Sequence, residues 1–461
     1  MRTIRSLVLA LPIVGLALAA APHDASACGG CFVPPEESTQ VTGHRMIFSV
    51  SKTQTTLYDQ IEYVGAPESF SWVLPIHGQV DVNLSSDALF AFLGSDTSVQ
   101  VQPPPLNCPE PPDGCYDFAE DGAGAGTGGG GGSANTGGGV EVLVQEVVGP
   151  YETVQLKADD PAALTDWLTS HGYAIPNDIV PVINAYQNEG FGFLAMKLVP
   201  GQGVQAMRPV RVTTQGAGIE LPLRMVGAGT GALTPITLFV VGEGRYQAQN
   251  FPNLNFDPSA IVFHWDDYTS NYDLLIKGLF ESSNGFGWLT QSSGHYTKDD
   301  LSWRIDQVID FNPGTTGWGD PDNGVSEYDD AHADLDTMFA GMDMQNTWLT
   351  RLHAQLSRPA LGSDFFIEAE PSQAAVSRFI QAEHADGKTP ECPDYSWCYD
   401  NGSNGGVFSG LGQGNGKDDY VTGKGSCSVQ RPGANDDTAM LFAGLGLAAA
   451  VVTLRRRRRS K

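Results

Sequence analysis

Positive charge is scarce in this chain. Lysine and arginine number 26 against 53 aspartates and glutamates, a formal net charge of −27. Setting aside residues 1–27 (two Arg, one Asp) and 428–461 (seven basic, two acidic) leaves 17 basic and 50 acidic residues, a net of −33. A surface this acidic repels phosphate backbones, which argues against nucleic acid as a partner and suits solubility outside the cell. Catalytic signatures are missing too. No G-x-S-x-G, H-E-x-x-H or G-x-x-x-x-G-K-[ST] occurs, and no catalytic residue is assigned. Only seven cysteines are present. Cys28-Gly29-Gly30-Cys31 has no second C-x-x-C or nearby His pair to complete a zinc site. Phe32-Val33-Pro34-Pro35 follows it and cannot open the helix that redox pairs use, so a structural disulfide is the plainer reading. Strict βαβ alternation is also lacking, which speaks against a doubly wound parallel sheet.

What is present starts at the two ends. Residues 1–27 read as a secretory signal peptide: Arg2 and Arg5, an apolar run over Leu7–Ala21, and the cleavage pattern Ala25-Ser26-Ala27. Cys28 stands where a lipoprotein would be acylated, although Ala25 replaces the usual Leu. At the other end, Cys392 and Cys398 open a Gly-, Asn- and Ser-rich stalk over 392–427 that closes at Cys427. Residues 428–461 form a tail with an apolar span at 438–454 and a basic stop of Arg455, Arg456, Arg457, Arg458 and Arg459. The 17 residues of the span reach about 25 Å as a helix, just short of a hydrocarbon core of about 30 Å. The membrane is thus an expected partner through this tail, with the Arg cluster cytoplasmic and the body outside.

The body, 28–391, is long enough and, at 41% hydrophobic, apolar enough to bury one large core or two ordinary ones. Its best-patterned stretch is Arg45–Val82. Met46, Phe48 and Val50 alternate with polar or small residues; Leu57, Ile61 and Tyr63 share a face; Phe70, Trp72, Leu74 and Ile76 share another. That is the period of three strands, each with one buried face, with a turn at Ser51–Gln54. Further strands are expected at 140–148, 193–199, 210–214, 219–226, 236–241, 245–250, 261–265, 348–356 and 365–370. Short helices are expected at 85–94, from Pro161 to Gly172, and at 177–187, 272–281 and 329–342. Residues 122–139, GAGAGTGGGGGSANTGGG, read as a flexible insertion. The fold class is therefore α+β, mostly antiparallel sheet with several short helices, a Gly-rich insertion, a stalk and a single membrane-spanning segment.

Candidate chemistry is thin. Asp320, Asp322, Asn323 and Glu327 concentrate oxygen donors that could hold calcium, although their spacing misses the EF-hand loop by one residue. The plainer reading is a solvated acidic loop before a helix, with Asp329 and Asp330 at the positive N-terminus. No other cofactor is expected. His44, His77, His264 and His295 lie near aromatics and read as hydrogen-bonded structural groups. Glu62 and Asp81 could form a carboxylate pair only if the fold brought them together.

Two resemblances carry further expectations. Cys427, the apolar span and the Arg cluster resemble the MYXO-CTERM sorting tails of myxobacteria, which implies that Cys427 is the processed and anchored residue and that a sorting protease is a partner. The body resembles the domain of unknown function 2330 family, through Cys28-Gly29-Gly30, the Phe70-Ser71-Trp72-Val73-Leu74-Pro75 strand, Val148-Gly149-Pro150-Tyr151-Glu152, Asp166-Trp167-Leu168 with Gly172-Tyr173, and Thr350-Arg351-Leu352. That resemblance implies an address and a domain rather than a reaction. If Cys427 is processed, six cysteines remain. Fifteen pairings are open to six, and close spacing favours Cys28–Cys31, Cys108–Cys115 and Cys392–Cys398. The expected function is that of an exported, membrane- or surface-anchored, non-catalytic structural or binding protein of the cell envelope. The alternative is a surface hydrolase or other enzyme with a scattered active site that forms no motif.

Overall fold

The strands Gln40–Val50 and Gln54–Val64 form an antiparallel hairpin, with Phe48 opposite Leu57 and Val50 opposite Thr55. Its turn is held by Ser51, whose hydroxyl accepts from the amides of Thr53 and Gln54, an arrangement that suits serine in turns. This is a computed structural model, and it describes residues 31–32, 40–64, 71–109, 141–157, 161–173, 175, 177, 179–201, 207–226, 232–311 and 327–392. The signal-like segment, the Gly-rich insertion, the acidic-loop residues Asp320, Asp322 and Asn323, and everything from 393 onward, the tail included, lie outside them. Among the described residues no helix is long and apolar enough to cross a membrane.

The hairpin sits inside an eight-stranded sheet. Its order is Asn253–Leu254, Trp288–His295, Thr347–Ser357, Leu233–Glu243, Gln40–Val50, Gln54–Val64, Val210–Gln215 and Asp81–Leu84. Two neighbouring pairs are parallel, Leu233–Glu243 with Gln40–Val50 and Asn253–Leu254 with Trp288–His295; the others are antiparallel. A second sheet of five antiparallel strands runs Cys31–Phe32, Ser71–Ile76, Gly192–Leu198, Tyr151–Lys157 and Glu141–Val148. Three helices, α1 (Asp87–Thr97), α5 (Lys298–Phe311) and α6 (Glu327–Met338), cover the outer face of the large sheet, while α2 (Pro161–Ser170) and α3 (Val180–Asn188) cover the outer face of the small one. Among the described residues one further α-helix, α4 (Tyr272–Ser282), packs into the central core through Ile276 and Phe280. The body is mixed α+β and mostly sheet, layered helix–sheet–sheet–helix.

Three cores follow from this layering. Met46, Phe48, Leu57, Trp72, Leu74 and Ile76 meet between the sheets. Ile47, Tyr58 and Phe239 point the other way. They pack against Leu89 and Leu93 of α1, Leu301 and Ile305 of α5, and Leu335 of α6. Both faces of the hairpin are therefore buried, where alternation alone predicts one. Val73 likewise leaves its strand on the outer side, among Leu164, Leu168 and Ile183 of the covering helices. The third run of the Arg45–Val82 stretch does not extend the hairpin but crosses to the facing sheet, so the same apolar gap is built from both sides.

The cysteine pairing favoured by spacing is corrected by the fold. Cys108 is bonded to Cys392, 284 residues away, so neither Cys108–Cys115 nor Cys392–Cys398 forms. The cause is the parallel pairing of Gln100–Gln102 with Phe379–Gln381. Chains leaving the two strands in the same direction bring Cys108 and Cys392 to a Cα separation of 5.3 Å, within the span a disulfide bridges. Cys28, Cys115, Cys398 and Cys427 lie outside the described residues, and Cys31 is described only as the start of an edge strand paired with Trp72.

Candidate functional site: the gap between the sheets

Side chains do not fill the space between the sheets evenly. At one end, Phe48 and Leu57 of the hairpin, Leu74 and Ile76 of the small sheet, and Val212 of the Val210–Gln215 strand line an apolar cleft of about 400 Å³. The segment 215–222 forms its outer wall. Thr55 pins that wall, donating to the Gly216 carbonyl at 2.9 Å and accepting from the Gly218 amide at 2.6 Å. Gly216 has φ +90°, a backbone that side-chain-bearing residues rarely adopt, so glycine suits the bend.

One ionisable pair stands at the rim. His77 packs against Phe191 with ring centroids 3.8 Å apart, and its Nε2 lies 3.7 Å from Glu220 Oε2. Burial raises the Glu220 carboxyl above its ordinary range and nearby Asp364 pushes the same way, with His77 opposing them. Asp364 is itself buried and fully engaged. It accepts from the amides of Leu223 and Arg224 at 2.8 and 3.1 Å, from Arg224 Nε at 2.7 Å, and from the Tyr186 hydroxyl. The Arg224 guanidinium lies 3.9 Å from the Tyr186 ring centroid and also holds Glu189. Polar groups placed this firmly can orient a ligand without rearranging.

A clamp between the large sheet and α6 explains where Glu327 goes. Asp334 is fully buried; it receives Arg211 Nη1 at 2.7 Å, the Ser85 hydroxyl at 2.8 Å and the Ser86 amide at 2.8 Å. Glu327 accepts from the Ala88 amide at 2.7 Å, at the start of α1, and from Arg208 Nη2 at 2.8 Å; Asp330 shares that arginine at 2.9 Å. Burial lifts the Glu327 carboxyl to about 7 and that of Asp334 to about 6, against the opposing pull of Arg208 and Arg211. Glu327 therefore joins α6 to α1. Among the described residues no group of three or more His, Cys, Asp or Glu side chains is placed to hold a metal.

The other candidate residues scatter. Glu62 Oε1 lies 2.9 Å from Arg45 Nε, and Asp81 accepts from Asn83 at 2.9 Å, so these carboxylates do not form a pair with each other. His44 is buried beside Asp59 at 3.3 Å, His264 contacts Asp386 at 2.6 Å, and His295 lies over Trp348 with centroids 4.2 Å apart. One arrangement escapes sequence reasoning altogether. His332 on α6 has Nε2 2.8 Å from Asp306 Oδ1 and Nδ1 3.4 Å from Ser302 Oγ, both on α5. Ser302 and Asp306 are four residues apart on one helix, a spacing that aligns them on one face, but the histidine comes from a different helix. None of the three lines the apolar cleft.

A layered α+β body with an apolar cleft between its sheets is the class this geometry defines. Residues 22–365 match the family described as an uncharacterized protein conserved in bacteria (DUF2330), and the chain belongs to that family. No curated protein matches it. Among solved structures it is similar to a mutated baculovirus P35 after caspase cleavage, with 11% identity over 45% of this chain and 68% of that one. The TM-score of 0.23 makes that likeness too slight to bear on fold or activity.

Proposed function

We propose that this is an exported binding protein of the cell envelope, non-catalytic, that holds a small apolar molecule with one hydrogen-bonding end. The observation that carries this reading is the cleft of about 400 Å³, apolar inside and edged by His77 and Glu220. That combination suits burial of a hydrocarbon body with its polar end fixed at the mouth. Export and anchoring rest on the signal-like residues 1–27 and on the tail from Cys427 to the Arg cluster.

The hydrolase alternative has one observation in its favour, the Ser302–His332–Asp306 line. It is weaker support. Ser302 lies within α5, where backbone amides serve the helix instead of an oxyanion, and the 3.4 Å contact is loose for an activated nucleophile. The test is a fluorescence titration with N-phenyl-1-naphthylamine, followed by displacement with decanol. Saturable binding is expected, weakened at least about tenfold by Thr214→Trp, which plugs the half-buried cleft wall. Equal binding by that folded variant, or none by the native protein, removes the reading. Fluorophosphonate labelling of Ser302 would install the enzyme in its place.

A further inference from the structure

Charge at the mouth of the apolar cleft is one-sided, and this decides what kind of polar end the cleft can hold. Among the described residues that line it there is no lysine or arginine, and a single carboxylate, Glu220. The Glu220 side chain is 26% exposed and that of His77 beside it 59%, so both can be reached from solvent. The remaining lining is mainly hydrocarbon, with Phe48, Leu57, Leu74, Ile76 and Val212 on its inner walls.

No cation is left over to neutralise Glu220. Arg224 acts on it from nearby, but donates through Nε to Asp364 Oδ2 at 2.7 Å and through Nη1 to Glu189 Oε1 at 2.8 Å. One guanidinium therefore already serves two carboxylates. His77 Nε2 stands 3.7 Å from Glu220 Oε2, beyond ordinary hydrogen-bond length. With His77 neutral, Glu220, Asp364 and Glu189 against Arg224 leave the group at minus two. A carboxylate or phosphate end would meet like charge and find no cation to receive it. A hydroxyl end can donate one hydrogen bond to Glu220. An ammonium brings three donors and the opposite charge, and charge-assisted hydrogen bonds of this kind are the stronger ones.

We infer that the cleft selects an amine-headed amphiphile. The hydrocarbon body lies between the sheets, and the ammonium meets the Glu220 carboxylate beside His77. This rests on the reading of the cleft as a site for an apolar molecule and adds the charge of that molecule's polar end.

Displacement of N-phenyl-1-naphthylamine from the full chain by decylamine, decanol and decanoate tests the assignment, since the three share a chain length and differ in head charge. At about pH 8 an ordinary histidine is neutral while an alkylamine keeps its proton; all concentrations stay below micelle formation. Decylamine should displace the dye at a concentration at least about tenfold below that of decanol, with decanoate about tenfold above it. Glu220→Gln removes the charge with little change of shape and should bring decylamine level with decanol. A general attraction of the acidic body for cations would survive that substitution, so an undiminished amine preference in the folded variant overturns the assignment. An equal order of the three in the native protein, or a preference for decanoate, overturns it as well, and needs no variant to fold. In those cases decanol still displaces the dye and the cleft keeps its apolar ligand. If neither the dye nor any of the three binds, the reading of the cleft fails too.

Discussion

Arg211 and Asp334 set the stakes at the scale of single residues. Asp334 is fully buried and relies on Arg211 for its only arginine contact among the described residues. Arg211→Leu strands a buried carboxylate and should cost about 3–5 kcal/mol in urea unfolding, while adding Asp334→Leu should recover part of the loss. Glu327 gives a pH-dependent counterpart. Its folded pKa of about 7 and that of Asp334 near 6 lie above their ordinary values of 4.5 and 3.8. The folded protein therefore keeps protons that the unfolded chain has already released. Stability from these groups is greatest below the ordinary values and declines as pH rises to about 7. Glu327→Gln still accepts from Ala88 and should flatten the profile by up to about 1.4 kcal/mol per pH unit over that window. Melting curves from pH 4 to 8 (about the span where carboxylates of this kind titrate) would show an unchanged slope if this account is wrong. In the sequence Glu327 stands out only as an oxygen donor in an acidic stretch. Its partner Arg208 is 119 residues earlier, and no spacing rule reaches that far.

Elements are legible where their signals are local. The hairpin, its serine turn and the apolar faces of Met46, Phe48 and Leu57 all follow from period-two alternation. So does α6 from its acidic start, since the first turn carries Glu327, Asp329 and Asp330. Elements that the sequence reading misses have other causes. Trp288–His295 has a register shift between Thr290 and Ser292 and an uneven pattern to match. Helix α5 does carry a local signal: Thr297 accepts from the Asp300 amide at 3.2 Å as a cap, and Leu301 and Ile305 follow at helical spacing. Cys108–Cys392 shows the limit of local reading, because short spacing cannot announce a bridge made by pairing remote strands. Cys108→Ser or Cys392→Ser should lower stability by about 2–4 kcal/mol, with Cys115→Ser well below that. Peptide mapping without reductant should recover 108 linked to 392; a 108–115 peptide would contradict the fold's closure.

For the whole molecule, the expectations on the tail and on calcium become measurements. Cys427→Ala should leave full-length chain in the inner membrane, while the wild type at the surface should lack Arg455–Arg459; intact arginines on surface protein would leave a plain anchor instead. Calcium should not raise the melting temperature. A rise abolished by Asp320→Ala with Asp322→Ala would establish a site in that loop. The layered core depends on segments far apart in the chain: Leu233–Glu243 lies between Gln40–Val50 and Thr347–Ser357. Contacts of such long range form slowly. The closing bridge comes later still, since Cys392 follows Cys108 by 284 residues. A ribosome releasing this chain from its N-terminus completes every other part of the body first. The bridge can thus serve as a record of completion: a molecule that carries it has been made at least as far as residue 392, and a truncated product cannot counterfeit it.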